Sequence, residues 1–246
     1  MVVVVTGGGR GIGAATCLAL VDRGVDVCVG YTRDAESALA VVEQCRARGR
    51  RAIAVRADVS VEDEVESLFR TVDEELGVLT GLVNNAGIVA AKARVDEMSA
   101  ERVSRMMAVN VTGAFLCSRE AVRRMSTSTG GTGGAVVNIS SAASRLGSPG
   151  EYVDYAASKA AVDTLTIGLA REVAAEGIRV NAIRPGLIDT SIHASGGQPD
   201  RAERLRPMIP AQRVGDPGEV ASVAAWLCTE APDYLTGALI DVSGGR

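Results

Sequence analysis

Short β-branched runs alternate with longer segments of helical spacing from one end of this chain to the other. Residues 2–5, 25–31, 51–57, 81–84, 135–140, 178–183 and 239–242 read as strands. Residues 11–22, 35–48, 61–76, about 100–125, 153–175 and 217–228 carry apolar side chains at helical intervals. Such alternation predicts an α/β fold: a doubly wound parallel sheet of about seven strands, flanked by helices and joined by right-handed crossovers. Hydrophobic residues make up 47% of the chain and aromatics only 3%, so the core must be built from Val, Ala, Leu and Ile. That balance suits strands buried on both faces. No internal repeat or break in composition divides residues 1–246, which read as a single domain. Residues 126–134, rich in Ser, Thr and Gly, read as a surface connection. Residues 186–214 read as irregular and proline-bearing, and the stretch around 186–213 is long enough to act as a substrate lid.

A net charge of −4 and a pI near 5.2 give no electrostatic reason to expect nucleic acid or an anionic membrane as partner. No apolar run approaches the ~20 residues of a membrane span, and residues 2–5 are too short for a signal-peptide core. Cys17, Cys28, Cys45, Cys117 and Cys228 are scattered and form no CxxC, and the one histidine, His193, completes no metal cluster. Free buried thiols in a reducing cytoplasm, with no metal site, are the expectation.

In an open parallel sheet, ligands bind beyond the carboxyl ends of the strands. That rule gathers residues 7–13, 31–33, 58, 84–87, 140–144 and 185–190 around one cleft. Gly7, Gly11 and Gly13, between the first strand and first helix, permit a tight turn, close approach of a pyrophosphate and close helix packing. The helix N-terminus behind them offers unpaired N–H groups to phosphates. Their spacing is G-x-x-x-G-x-G, which departs from the G-x-G-x-x-G fingerprint. The second strand ends Tyr31-Thr32-Arg33 with no acid at its tip, where an NAD-binding chain usually places one. Arg10 and Arg33 can neutralise a 2′-phosphate and Thr32 can donate to it, so NADP(H) is expected over NAD(H), with Asp34 weighing slightly the other way.

Tyr155 and Lys159 stand four residues apart, on one face of a helix. A free phenol ionises near pH ~10 and is a poor base at neutrality. An adjacent ammonium favours the phenolate, so the pair is expected to lower the tyrosine's pKa towards what proton transfer needs.

Together these motifs resemble the short-chain dehydrogenase/reductase family over essentially the whole chain, and within it the 3-oxoacyl-acyl-carrier-protein reductase and glucose-dehydrogenase-like branch. Residues 6–13 resemble its cofactor loop, which adds Gly9 and Ile12 to the cofactor contacts. Residues 84–87 resemble its post-strand motif, bringing Asn85, Ala86 and Gly87 to the cofactor. Asp58 and Val59 resemble the pair at the adenine ring. Pro185, Gly186, Ile188 and Thr190 resemble the segment at the nicotinamide carboxamide. The resemblance implies a single-domain Rossmann fold in which Tyr155 is the general acid/base and Lys159 also holds the nicotinamide ribose. Ser141 would orient the substrate oxygen. Asn110 would hold a water linking Lys159 to solvent through the helix backbone around it.

The activity so implied interconverts a carbonyl and a secondary alcohol with NADP(H), on a small-molecule or carrier-bound substrate. A catalytically silent cofactor-sensing protein and an epimerase or dehydratase using the same pair are the alternatives. A homotetramer is implied, with a dimer as the second choice. Ser140 reads as a structural hydrogen-bonder, Tyr152 as a pocket wall or packing residue, His193 as a surface or lid residue, and Trp226 as core or subunit contact.

Overall fold

The computed structural model describes residues 1–190, 197–198 and 201–246. Seven parallel strands form one sheet in the order β3-β2-β1-β4-β5-β6-β7. They are β1 Val2–Val5, β2 Asp26–Tyr31, β3 Ala52–Arg56, β4 Gly81–Asn84, β5 Gly134–Ile139, β6 Ile178–Pro185 and β7 Leu239–Val242. The helices between them are α1 Gly11–Val21, α2 Ala35–Ala47, α3 Glu62–Glu75, α4 Ala100–Met107, α5 Gly113–Met125, α6 Ala143–Leu146, α7 Val153–Val173, α8 Arg201–Leu205 and α9 Pro217–Thr229. The α/β alternation and the parallel sheet are those expected from the sequence.

Period-two alternation divides the four valines of β1 between two cores. Val3 and Val5 pack under α1, α2 and α9, while Val2 and Val4 pack under α3, α5 and α7. All four are buried, because β1 is central and pairs with β2 on one side and β4 on the other. The strand order reverses between β1 and β4, so the crevice where ligands bind opens over the carboxyl ends of these two strands. Trp226 lies half-buried against the core layer under α9. All five cysteines are free and buried, and burial pushes the Cys117 and Cys228 thiols up to about 12.

Two segments differ from the sequence reading. The helix expected over residues 100–125 contains a wide π turn, Ala108–Thr112, between α4 and α5. Gly113 follows it, where a Cβ would lie 2.6 Å from Val59, so the helix passes against the loop after β3 only because that residue is glycine. The stretch expected to be irregular contains α8 and a 3-10 turn, Arg206–Met208. His193, expected at the surface or in a lid, lies outside the described residues.

Candidate active site

Every described strand edge around the crevice contributes, beginning with the glycine loop. Gly7 and Gly11 have φ of 63° and 52°, conformations that favour glycine. A Cβ on Gly13 would sit 2.3 Å from the Gly7 carbonyl oxygen. The N-terminus of α1 carries no side-chain cap, and its first turn holds no acid. Its N–H groups and positive dipole end therefore remain available to an anion, as a pyrophosphate requires. Thr6 and Asn85 brace the loop: Thr6 Oγ1 accepts from the Asn85 and Ala86 N–H groups at 3.0 Å, and Asn85 Nδ2 donates to the Thr6 and Gly7 carbonyls, also at 3.0 Å. The chain thus holds a cradle of the right shape and polarity for a dinucleotide.

Asp34, the acid nearest the tip of β2, is committed elsewhere. Its carboxylate caps α2, accepting from Ser37 N at 3.0 Å and Ser37 Oγ at 2.7 Å, and those bonds hold its pKa below the ordinary value. Arg10 lies 3.7 Å from it, with Arg33 exposed beside it. The Asp-x-x-Ser spacing is a local capping signal, and it accounts for this acid without a ribose. Thr32 Oγ1 is itself bonded to the Ala57 carbonyl at 3.1 Å.

At the end of β3, Asp58 accepts from Ser60 through one oxygen and from Arg105 at 2.8 Å through the other. Burial opposes its ionisation, but these hydrogen bonds outweigh it and hold its pKa down. Arg105 on α4 has no distinctive sequence signal. Its contact with Asp58 spans 47 residues and is fixed only by the fold.

The remaining candidates meet at one wall of a cavity of about 380 Å³, lined by Ile12, Asn85 and Gly87 on one side and by Ser141, Tyr155 and Lys159 on another. Tyr155 and Ser141 face each other across this wall, close enough for the serine hydroxyl to favour the phenolate. Lys159 Nζ lies 5.7 Å from the centroid of the Tyr155 ring and donates to the Ile139 carbonyl at 2.8 Å. Ser140 points the other way from Ser141, its hydroxyl donating to the Lys159 carbonyl at 3.1 Å, as strand alternation predicts. Asn110 sits inside the π turn. Its side chain exchanges hydrogen bonds with the Ile88 backbone at 2.8 and 3.0 Å and donates to Ser158 Oγ at 3.0 Å. It ties the loop after β4 to α7 one residue before Lys159.

The electrostatics differ from the sequence expectation. Tyr155 is raised above its ordinary value, because burial of the phenol outweighs the effect of the Ser141 hydroxyl. Lys159 is lowered to about 8, burial again being the larger cause and Asp163 opposing it. The net shift of the phenol is upward and not downward, because desolvation is the larger influence on both groups.

Gly186 packs where a Cβ would be 2.7 Å from Ser243 Cα, and Thr190 reaches within van der Waals range of a Cβ placed on Gly11. Pro185, Gly186, Ile188 and Thr190 all line the cavity. Tyr152 forms part of its outer wall, and its hydroxyl hydrogen-bonds Gln198, which in turn accepts from Arg204 of α8. A buried pair missed by sequence reading lies behind this wall. Arg102 holds Asp154 in a bidentate contact at 2.8 and 3.2 Å and donates to the Ala91 carbonyl. Among the described residues no group of three His, Cys, Asp or Glu could hold a metal ion, and no helix is long and apolar enough to cross a membrane.

A nucleotide cradle at the switch point, opening onto a tyrosine–lysine–serine wall, defines a nicotinamide-dependent oxidoreductase class. The chain belongs to the short-chain dehydrogenase/reductase family. The family model described as enoyl-(acyl carrier protein) reductase matches residues 7–246. The chain is 51% identical to the uncharacterized oxidoreductase YgfF of Escherichia coli, over all of this chain and 99% of that one. It is 38% identical to the 3-oxoacyl-[acyl-carrier-protein] reductase of Synechocystis, covering 99% and 96% of the two chains. With glucose 1-dehydrogenase 2 of Bacillus subtilis the identity is 37%, over 98% and 93%. Among solved structures, a short-chain dehydrogenase from Burkholderia cenocepacia in complex with NADP superposes with a TM-score of 0.88 at 34% identity, over 99% of this chain and 96% of that one. A 3-ketoacyl-(acyl-carrier-protein) reductase from Brucella melitensis complexed with NADH gives 0.92 at 29%, over 100% and 97%.

Proposed function

We propose that this oxidoreductase interconverts a carbonyl and a secondary alcohol using NADP(H), with Tyr155 as general acid/base. The observation that carries this reading is the meeting of Ser141, Tyr155 and Lys159 on one wall of a cavity that Ile12 of the glycine loop also lines, with the lysine Nζ 5.7 Å from the tyrosine ring. Gly7, Gly9, Gly11, Ile12 and Gly13 would hold the pyrophosphate, Asp58 and Val59 the adenine, and Asn85 to Gly87 with Pro185, Gly186, Ile188 and Thr190 the nicotinamide end. The nicotinamide supplies the hydride in reduction and receives it in oxidation. Charge builds on the carbonyl oxygen as it is reduced. Ser141 positions that oxygen by hydrogen bonding, and Tyr155 donates the proton. The buried Lys159 ammonium stabilises the phenolate left behind, and Asn110 holds the π turn against α7 so that the lysine keeps its place.

NADP(H) is favoured because Asp34 is spent on capping α2, while Arg10 and Arg33 remain exposed beside the ribose position. The substrate is a small or carrier-bound carbonyl, and the working assembly is a homotetramer. Following absorbance loss of NADPH against a panel of ketones that includes 3-oxoacyl thioesters, and absorbance gain from NADP+ with a panel of sugars, tests the reaction. Turnover with at least one is expected. Binding of NADPH with no turnover across the panel would favour a cofactor sensor instead. The cofactor choice is tested by kcat/KM for NADPH and NADH in the wild type and in Arg33→Ala. The variant should lose about tenfold or more with NADPH and little with NADH, since one charge-assisted contact is worth roughly 1.5–3 kcal/mol.

A further inference from the structure

Tyr155, Lys159 and Asp163 follow one another at four-residue steps along α7. Asp163 is buried, its side chain 8% exposed, and Arg184 of β6 contacts its Oδ2 through both Nε and Nη2 at 3.0 Å. The other carboxylate oxygen, Oδ1, is buried and takes no hydrogen bond among the described residues. An ionised oxygen in that position costs free energy unless a positive charge nearby benefits from it. Lys159 lies one turn away, buried, with its Nζ donating to the Ile139 carbonyl and Gly87 closing over it. It is one of two lysines in a chain with 26 basic residues, the other being the exposed Lys92.

Most other charges on elements packed against α7 are engaged in their own pairs, Arg179 of β6 with Asp233 among them, while Glu101 of α4 lies exposed. Arg102 and Arg105 of α4 hold Asp154 and Asp58, and Arg119, Arg123 and Arg124 of α5 surround Glu120. Arg145 of α6 faces Asp241, and Glu176 accepts from Ser126. The π turn and β5 carry no ionisable group, and Arg171 and Glu172 lie exposed at the far end of α7.

We propose that Asp163, anchored by Arg184, is a positioning residue for Lys159: its buried carboxylate is the counter-charge that keeps the lysine an ammonium beside Tyr155. This rests on the assignment of Tyr155 and Lys159 given above. The same pair ties α7 to the end of β6, the strand that runs into Pro185 and Gly186, so the charge also fixes the lysine relative to the nicotinamide segment. The direction of the Asp163 effect on the lysine's pKa, opposing burial, agrees with this role.

The test is an NMR titration of protein carrying ¹³Cε-lysine, in which two signals are expected and Lys159→Met assigns them. Lys92 serves as the exposed reference. In Asp163→Asn the Lys159 midpoint should fall by about one pH unit or more, a roughly tenfold loss of the protonated form at a given pH. Asp163→Glu should restore most of it. Arg184→Met, which removes the competing cation, should raise the midpoint. Opposite shifts in the two variants cannot come from loosened packing alone. An unchanged midpoint in Asp163→Asn, or shifts of the same sign in both, would overturn the proposal. The readout needs no turnover, so an inactive wild type would sink the proposed reaction while leaving this titration to stand or fall by itself.

Discussion

Burial, which pushes Lys159 down to about 8, makes the pH dependence of this site a property of the lysine, although Tyr155 handles the proton. Tyr155 lies above its ordinary pKa, so the phenol stays protonated throughout the range in which the lysine loses its charge. Carbonyl reduction needs both the phenol and the ammonium. The kcat/KM for NADPH-driven reduction should therefore be level at lower pH and fall through a basic limb near pH 8. A profile that stays level to the tyrosine range would assign the limb wrongly. Tyr155→Phe removes the proton donor and leaves the ring, so kcat should drop by about 10²–10⁴ with NADPH affinity nearly intact. Retention of most of the kcat would move the proton donor to another group. That Tyr155 and Lys159 share one helix face, and that Ser140 and Ser141 point apart, is legible in sequence, because i,i+4 spacing and strand alternation are local geometry. Their electrostatics are not. The sequence places a cation beside a phenol and so suggests a lowered tyrosine, whereas burial, which only the packed fold creates, raises it. Asp163 escaped for the same reason: its meaning depends on Arg184, which lies 21 residues on and in another element.

The strand-loop-helix unit at the start of the chain works only while its backbone can close on itself. Gly13 packs with its α-hydrogen against the Gly7 carbonyl, where a Cβ would come to 2.3 Å, a distance that no relaxation of a flexible side chain can relieve. Gly13→Ala should force α1 off the loop. The expected loss is about 1–3 kcal/mol of stability, read from denaturant unfolding, together with NADPH binding weakened by more than tenfold. Normal affinity in a folded variant would show that the cradle is not the phosphate site. Strand-helix alternation made most elements readable to within a residue or two, since burial on both faces of a parallel sheet leaves unmixed apolar runs. The π turn was not readable. It coincides with the close passage of Gly113 against Val59 and with Asn110, whose side chain serves the Ile88 backbone and Ser158 across the fold. Neither contact leaves a periodic mark. The Asp34 cap was within reach, because Asp-x-x-Ser at the start of a helical pattern is a local signal.

The apolar residues left on the outside bear on how copies of the chain meet. Val103 and Met107 on α4 and Phe115 on α5 are 39%, 36% and 52% exposed, the first two one turn apart on the same helix. Phe115 is one of two phenylalanines in the chain, the other being fully buried at Phe69. Leaving a side chain like Phe115 half in water forgoes about 1–1.5 kcal/mol, and exposed apolar side chains near one another are the kind of surface that contacts between copies cover. In a closed symmetric assembly the same surface meets its own copy, so each apolar residue counts twice. The expected species at micromolar concentration is the tetramer. Phe115→Glu places a charge on both sides of that contact, and sedimentation velocity should then show dimer or monomer in its place. Because Phe115 lies on α5, outside the residues lining the cavity, NADPH binding per chain should survive the change. A wild type that sediments as a monomer would leave these side chains without a partner and remove the tetramer. A Phe115→Glu variant that stays tetrameric would place the contact on another face.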